Sequence, residues 1–253
     1  MLAAVRQSEI KKLIRDEGSV RVSELSKIFK VSGVTIRRDL EKLEQEEVIK
    51  RTHGGAIILG TDDLVRNLAF RDQAYMNEKR RIGKAAARLV KDGNTIILDG
   101  GTTTTEIARN LDNIKDLTVV TNAVNIPLEL RNNSEITIIM TGGILKAPSL
   151  SLTGRAAAES INHLNVNKTF FSVQGVSLKK GLTNTSVSDL YLKKAMIAAA
   201  KEVILVADSS KFGRIEFCTV APITAVHKII TDNGISPHLI QELEKKGIEV
   251  IVV

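Results

Sequence analysis

Asp99-Gly100-Gly101-Thr102-Thr103-Thr104-Thr105 sets one carboxylate, two glycines and four hydroxyls in seven consecutive residues. The glycines expose backbone N–H groups, and the hydroxyls begin where a helix would start. The stretch therefore suits an anion such as phosphate. Similar chemistry recurs at Thr121-Asn122, Thr141-Gly142-Gly143, Asp208-Ser209-Ser210-Lys211 and Thr231-Asp232, each time after an apolar run. Any one of these, taken alone, is accounted for equally well as a helix cap or a turn. Five together describe a pocket for a polar, phosphorylated small molecule. Ser172-Val173-Gln174-Gly175-Val176 is polar enough to reach that pocket and help choose its ligand. The chain contains no Walker motif and no G-x-G-x-x-G fingerprint.

A second constellation lies near the start. Ile36, Leu40 and Leu43 fall at i, i+4 and i+7, so they mark the inner stripe of a helix. Val34, Arg38, Glu41 and Gln45 then point outward, with Thr35 and Arg37 on the flanks. The first half of this helix presents Ser32, Val34, Thr35, Arg37 and Arg38. Hydroxyls and guanidinium groups suit phosphates and guanine edges, and an apolar side chain suits a thymine methyl. Just downstream, Arg51 and His53 flank the Gly54-Gly55 turn, where the backbone can approach a phosphate or enter a minor groove. Helix, turn, helix and basic glycine hairpin, in that order, read as a winged helix-turn-helix that binds double-stranded DNA.

The bulk numbers agree with that division. The chain has 253 residues and a net charge of +7. Residues 1–57 carry twelve basic and nine acidic side chains, so charge per residue is higher there than in the remainder. With Cys218 as the single cysteine, neither an intrachain disulfide nor a cysteine-based zinc site can form. His53, His163, His227 and His238 lack metal-ligand spacing, so no metal is expected. Cys218 reads as an inert thiol. No run is long and apolar enough for a membrane span, and the first residues lack a signal-peptide core, so a cytoplasmic location is expected.

The elements that must position these residues fall into two series. The first has a helix carrying Val5, Ile10, Leu13 and Ile14, a short strand at Val20–Val22, a helix capped by Ser23 and the helix from Val34. A strand at Val48–Arg51 and another at Ala56–Leu59 follow. The second alternates strand and helix. Its strands are Thr95–Leu98, Leu117–Val120, Ile136–Met140, Thr169–Val173, Val203–Val206, Lys228–Ile230 and Ile248–Val253. Its helices are a first one capped by Asn77, then Thr103–Leu111, Val124–Arg131, Arg155–Leu164, Leu190–Ala200 and Pro237–Lys246. Such alternation implies an α/β domain with a mainly parallel sheet covered on both faces. The expected domains are 1–59 for the winged helix-turn-helix, 60–76 for a linker and 77–253 for the larger α/β sensor.

Val31-Ser32-Gly33-Val34-Thr35-Ile36-Arg37-Arg38-Asp39-Leu40, then Leu43, then Arg51-Thr52-His53-Gly54-Gly55-Ala56, resembles the signature of the DeoR family of transcriptional regulators. The family joins a winged helix-turn-helix to a sugar-phosphate sensor with a fold like that of ribose-5-phosphate isomerase and the CoA transferases. Glu47 stands where the family usually has glycine. In the sensor, Asp99-Gly100-Gly101-Thr102-Thr103 resembles the family's first loop, with Gly100 replacing a serine. Thr121-Asn122, Gly142-Gly143 and Asp208–Gly213 match its later elements. The resemblance implies that Asp208 bonds sugar hydroxyls, that Lys211 pairs with the phosphate or holds its loop, and that Lys193 supplies a further basic group.

The expected protein is a DNA-binding regulator, a repressor of a carbohydrate-utilisation operon that a phosphorylated sugar releases from its operator. It needs no cofactor and works as a homodimer or homotetramer. The alternative is an aldose–ketose isomerase with a fused DNA-binding domain, with Asp99, Asp208 and Lys211 as candidate catalytic groups. An isomerase leaves the arginine-bearing helix unexplained, and the polar strand ends contain no glutamate base. No enzyme activity is therefore expected.

Overall fold

The computed structural model describes residues 3–17, 19–45, 49–52, 54–58 and 75–253. They belong to two units, Met1–Ala74 and Tyr75–Val253. Leu59 and residues 60–74 of the expected linker lie outside the described residues, as do Glu47 and His53.

The first unit runs α1 (Ala3–Glu17), β1 (Ser19–Arg21), α2 (Val22–Phe29), α3 (Gly33–Gln45), β2 (Ile49–Thr52) and β3 (Gly55–Ile58). The strands form an antiparallel sheet in the order β1-β3-β2. Helical spacing brings Ile10 and Ile14 of α1 and Ile36, Leu40 and Leu43 of α3 together, and Leu25, Val20, Ile49 and Ala56 complete the core. Two expectations change. Val5 is exposed, because Arg6, one turn before Ile10, takes the inward face and Val5 lies off it. Ser23 is not a cap, because α2 already begins at Val22 and Arg21 precedes it without a side-chain cap. Lys30, with φ of 52°, turns the chain between α2 and α3 in the left-handed region.

The second unit opens with α4 (Met76–Ala87), which starts before Asn77. Its cap is Tyr75, a residue with φ of 56°. The chain continues through β4 (Thr95–Leu98), α5 (Thr102–Ala108), β5 (Leu117–Thr121), α6 (Asn125–Leu130) and β6 (Ile136–Met140). A hairpin of β7 (Ile144–Lys146) and β8 (Ser151–Thr153) precedes α7 (Arg155–Asn162) and β9 (Val166–Phe171). Then come β10 (Gly175–Ser177), β11 (Gly181–Asn184), α8 (Val187–Ala199), β12 (Ala200–Val206), β13 (Cys218–Ala221), β14 (Lys228–Thr231), α9 (Pro237–Glu244) and β15 (Glu249–Val252).

Seven of these strands form one parallel sheet, ordered β15-β14-β12-β9-β4-β5-β6. Alternate residues feed opposite cores. Ile96, Leu98, Ile204 and Val206 face α4, α5 and α6 through Ile82, Ala86, Ile107 and Ile126. Ile97 faces α7 and α8 through Ala157, Ile161, Leu192 and Met196. Val203 and Leu205 face the small antiparallel sheet β10-β11-β13 and α9. α4 lies close against α5 at Gly83, where a Cβ would sit 2.6 Å from the backbone carbonyl carbon of Glu106.

β9 and β12 begin earlier than their apolar runs suggest. Lys168 of β9 pairs with Glu202 of β12 at 3.1 Å, and Lys228 of β14 reaches Glu202 at 3.3 Å and Glu249 of β15 at 2.8 Å. β9 also ends at Phe171 rather than Val173, because Ser172 turns its N–H to Asp99.

Candidate functional site

In the first unit, α3 begins at a serine cap. Ser32 Oγ accepts the Thr35 N–H at 3.2 Å and lies 2.9 Å from Thr35 Oγ1. Val34 is 70% exposed, and Arg37 and Arg38 are also exposed. Neither arginine is ion-paired among the described residues. The opposite face buries Ile36, Asp39, Leu40 and Leu43. Asp39 accepts Arg6 Nε at 2.6 Å, Arg6 Nη2 at 3.3 Å and Gln7 Nε2 at 2.8 Å. Both charges of this pair are buried. The fork joins α1 to α3 and fixes the helix's rotation about its own axis, which holds Val34, Arg37 and Arg38 outward. Removing one partner of such a pair costs about 3–5 kcal/mol.

The hairpin meets α3 through Arg51. Its Nε donates to Glu44 Oε2 at 2.7 Å, its backbone N–H to Glu44 Oε1 at 2.8 Å, and its Nη1 to Glu41 Oε1 at 2.8 Å. The Glu44 carboxylate foremost, with Glu41, holds the guanidinium above its ordinary pKa. Gly54 is exposed, and its carbonyl accepts the Val22 N–H at 2.9 Å. Gly55 serves packing, because a Cβ there would run into the Val20 carbonyl.

In the second unit, the strand order reverses between β4 and β9. The chain lays down β4, builds β5 and β6 to one side, and returns to β9 on the other. Open α/β sheets bind ligands beyond the carboxyl ends of such a pair. Asp99 follows β4, Ser172 follows β9, and Lys193 comes from α8. Asp99 is 3% exposed and Lys193 5%. They form a buried ion pair. Lys193 Nζ also donates to the Ser172 carbonyl at 2.7 Å, and the Ser172 N–H reaches Asp99 Oδ2 at 3.3 Å. The basic group implied by family resemblance is thus joined to the first polar loop.

The loop itself divides into framework groups and buried hydroxyls without a hydrogen bond among the described residues. Gly100 N–H donates to Asn122 Oδ1 at 2.8 Å, and Asn122 Nδ2 donates to the Leu152 carbonyl at 3.2 Å. Thr104 Oγ1 lies 2.6 Å from the Asp99 carbonyl and 2.8 Å from that of Gly101, so its proton is committed to the turn. Thr121 Oγ1 donates to the Leu98 carbonyl at 2.7 Å. Thr104, Thr121 and Asn122, expected to meet a ligand, build the frame. Thr102 and Thr103 hydroxyls make no hydrogen bond among the described residues. Their N–H groups also precede the first helical bond of the turn, from Thr105 N–H to the Gly101 carbonyl at 3.0 Å.

Asp208 is 1% exposed and caps its own turn, accepting the Ser210 N–H at 3.1 Å and the Ser210 hydroxyl. Both of these bonds run to Oδ1, so that oxygen holds the turn. Lys211 ends that turn and is partly buried. Gly142 and Gly143, with φ of 67° and 105°, turn the chain from β6 into β7. A Cβ on Gly143 would sit 2.6 Å from the Thr153 carbonyl.

Asp232 was read from sequence only as part of the Thr231-Asp232 loop, and Lys146 was not picked out at all. Asp232 accepts Ser209 N–H at 2.6 Å and Gly234 N–H at 2.9 Å. Burial pushes its carboxyl up, but these N–H groups outweigh it and hold the pKa below the usual carboxylate range. Lys146 of β7 meets Ser186 Oγ at 3.2 Å, the Ser188 hydroxyl, and Asp189 at 3.8 Å. That ties the hairpin to the start of the helix carrying Lys193. Nothing in the local sequence around Lys146 signals this contact.

Residues 6–61 match the DeoR-like helix-turn-helix domain, and residues 75–233 match the DeoR C terminal sensor domain. The uncharacterized HTH-type transcriptional regulator YulB of Bacillus subtilis (strain 168) is 42% identical over 100% of this chain and 98% of its own. The putative aga operon transcriptional repressor of Escherichia coli O157:H7 is 34% identical over 98% of this chain and 93% of its own. The HTH-type transcriptional regulator GolR of Listeria innocua is 34% identical over 97% of this chain and 96% of its own. With both domains matched in order and relatives aligned from end to end, the chain belongs to the DeoR family of transcriptional regulators.

Proposed function

We propose that this protein is a cytoplasmic repressor of a carbohydrate-utilisation operon, and that a phosphorylated sugar releases it from its operator. The observation that carries the reading is the pairing of two surfaces of opposite need. α3 offers Val34, Arg37 and Arg38, the arginines without an acid partner among the described residues, while the β4–β9 crevice offers the Thr102 and Thr103 hydroxyls, unbonded among the described residues, beside a buried Asp99–Lys193 pair. The first surface suits bases and phosphates of a duplex, with Ser32, Thr35 and the exposed Gly54 beside it. The second suits a small hydroxylated anion, held by Thr102, Thr103 and the N–H groups of the Gly101–Thr103 turn. The E. coli relative named for the aga operon supports a sugar-operon target. Two or four copies supply paired reading heads for an operator with repeated half-sites. The sugar phosphate acts by binding more tightly to the arrangement that does not fit the operator.

The test starts from operator sequences selected out of genomic DNA by the purified protein. Binding of a selected duplex is followed by anisotropy while a panel of pentose, hexose, amino-sugar and polyol phosphates is titrated. One of them should release the DNA. Arg38→Ala should lower operator affinity by about five-fold or more, a loss of about one to three kcal/mol. The pair Thr102→Val and Thr103→Val should bind operator normally and need at least about ten-fold more effector. Operator binding unaffected by Arg38→Ala would remove α3 as the reader. An unaltered effector response in the threonine pair would move the pocket elsewhere, and silence across the whole panel would end the sugar-phosphate reading.

A further inference from the structure

Arg51 is a basic residue in a DNA-binding hairpin, and its type alone suggests a phosphate contact. Its surroundings argue otherwise. Its guanidinium is held by two carboxylates, Glu44 at 2.7 Å and Glu41 at 2.8 Å, while Arg37 and Arg38 of α3 have none among the described residues. One positive charge between two negative ones leaves a local net charge that repels a phosphate. Glu44 also holds the backbone N–H of Arg51 at 2.8 Å. A single carboxylate thus grips both the main chain and the side chain of one residue. Two parallel bonds of this kind fix direction as well as distance. The grip joins the last turn of α3 to β2, four residues from the start of β3. Glu41 lies one helical turn beyond Arg37 and Arg38, on the exposed face. The same guanidinium that fastens the hairpin therefore neutralises an exposed carboxylate one turn from the reading arginines.

We propose that Arg51 is a positioning residue for DNA recognition. It clamps the β2–β3 hairpin onto α3 through Glu44 and Glu41, and it masks Glu41, instead of contacting the DNA backbone. The inference rests on the DNA-binding reading of the first unit. Its consequence concerns selectivity: the clamp sets where the Gly54 turn stands relative to Val34, Arg37 and Arg38. Loss of the clamp should weaken the matched duplex far more than an arbitrary one.

The experiment measures binding of a selected operator duplex and a scrambled duplex across a salt series. The proteins are the full chain and its Arg51→Ala, Arg51→Lys and Glu44→Ala variants, each with its thermal midpoint. All three variants should lose about ten-fold or more for operator and less than about three-fold for scrambled DNA, with an unchanged slope of log affinity against log salt. Glu44→Ala should behave this way although it makes the unit more positive. Arg51→Lys should fail because an ammonium cannot form the fork. A slope reduced by about 0.9 in Arg51→Ala would identify a phosphate contact and overturn the proposal. So would full operator affinity in Arg51→Lys or in Glu44→Ala. A parallel loss for both duplexes, tracking a lowered midpoint, would reduce Arg51 to a folding role and equally overturn it. If Glu44→Ala does not fold, the Arg51→Lys arm decides alone. Absence of any selective binding by the unaltered protein would fault the DNA-binding reading itself, separately from Arg51.

Discussion

Lys193 and Asp99 carry the strongest residue-level consequence. Each is almost wholly buried, and each supplies the other's charge compensation. Lys193→Ala leaves the Asp99 carboxylate buried with only the Ser172 N–H, at 3.3 Å, from this cluster. A loss of about 3–5 kcal/mol in unfolding free energy is expected, measured by urea denaturation. Replacing both residues together, Asp99→Asn with Lys193→Met, should cost less than Lys193→Ala alone, since no charge is then left unpaired. A double variant at least as unstable as the single would show that the pair's geometry, not its charge, holds the crevice. Much of this site was legible beforehand. Asp99 and the glycines announced themselves by type, and Lys193 entered through family resemblance. What could not be read was which polar groups are already engaged. Thr104, Thr121, Asn122 and Asp208 look like ligand contacts in sequence, yet their bonds run to Asp99, Leu98, Leu152 and Ser210. A hydroxyl or carboxylate has the same letter whether it faces a ligand or a carbonyl.

The elements themselves divide along a similar line. Runs such as Ile96–Leu98, Val203–Val206 and Ile229–Ile230 were legible because parallel strands buried on both faces must be apolar throughout. The amino ends of β9 and β12 were not, because Lys168 and Glu202 break the run and find partners only across strands. The β10-β11-β13 sheet stayed hidden too. Its strands have three or four residues, and Leu182 faces Ala221 from far along the chain. The charge ladder at those amino ends yields a pH prediction. Burial raises the Glu202 pKa, but Lys168 and then Lys228 bond it and bring the net value below the ordinary range. A carboxyl depressed on folding adds stability above its unfolded pKa of about 4.3. That stability disappears as pH falls through the lower, folded value. Glu202→Gln should therefore cost about 1 kcal/mol at pH 7, and the gap from the unaltered protein should close as pH drops below about 4. Added salt should narrow it at pH 7 as well. A gap that persists at pH 2 would assign the loss to packing rather than charge.

At the scale of the whole chain, each unit has its own buried core among the described residues. Ile10 to Ala56 make one, and the clusters around the seven-stranded sheet draw only on Ile82 and beyond. Each unit can therefore melt on its own terms, and calorimetry should resolve two transitions. Operator binds the first unit, so operator should raise the transition of that unit; sugar phosphate should raise the other. A ligand at 100 times its Kd adds about 2.7 kcal/mol to the unit it binds. Regulation demands more than two independent shifts. If sugar phosphate weakens operator binding ten-fold, operator must weaken sugar-phosphate binding ten-fold, a coupling of about 1.4 kcal/mol. With both ligands present, the two upward shifts should fall short of their separate sums by about that amount. Fully additive shifts would mean that the sensor's ligand does not reach the DNA-reading unit. A single transition raised alike by either ligand would instead mean that the two units unfold as one.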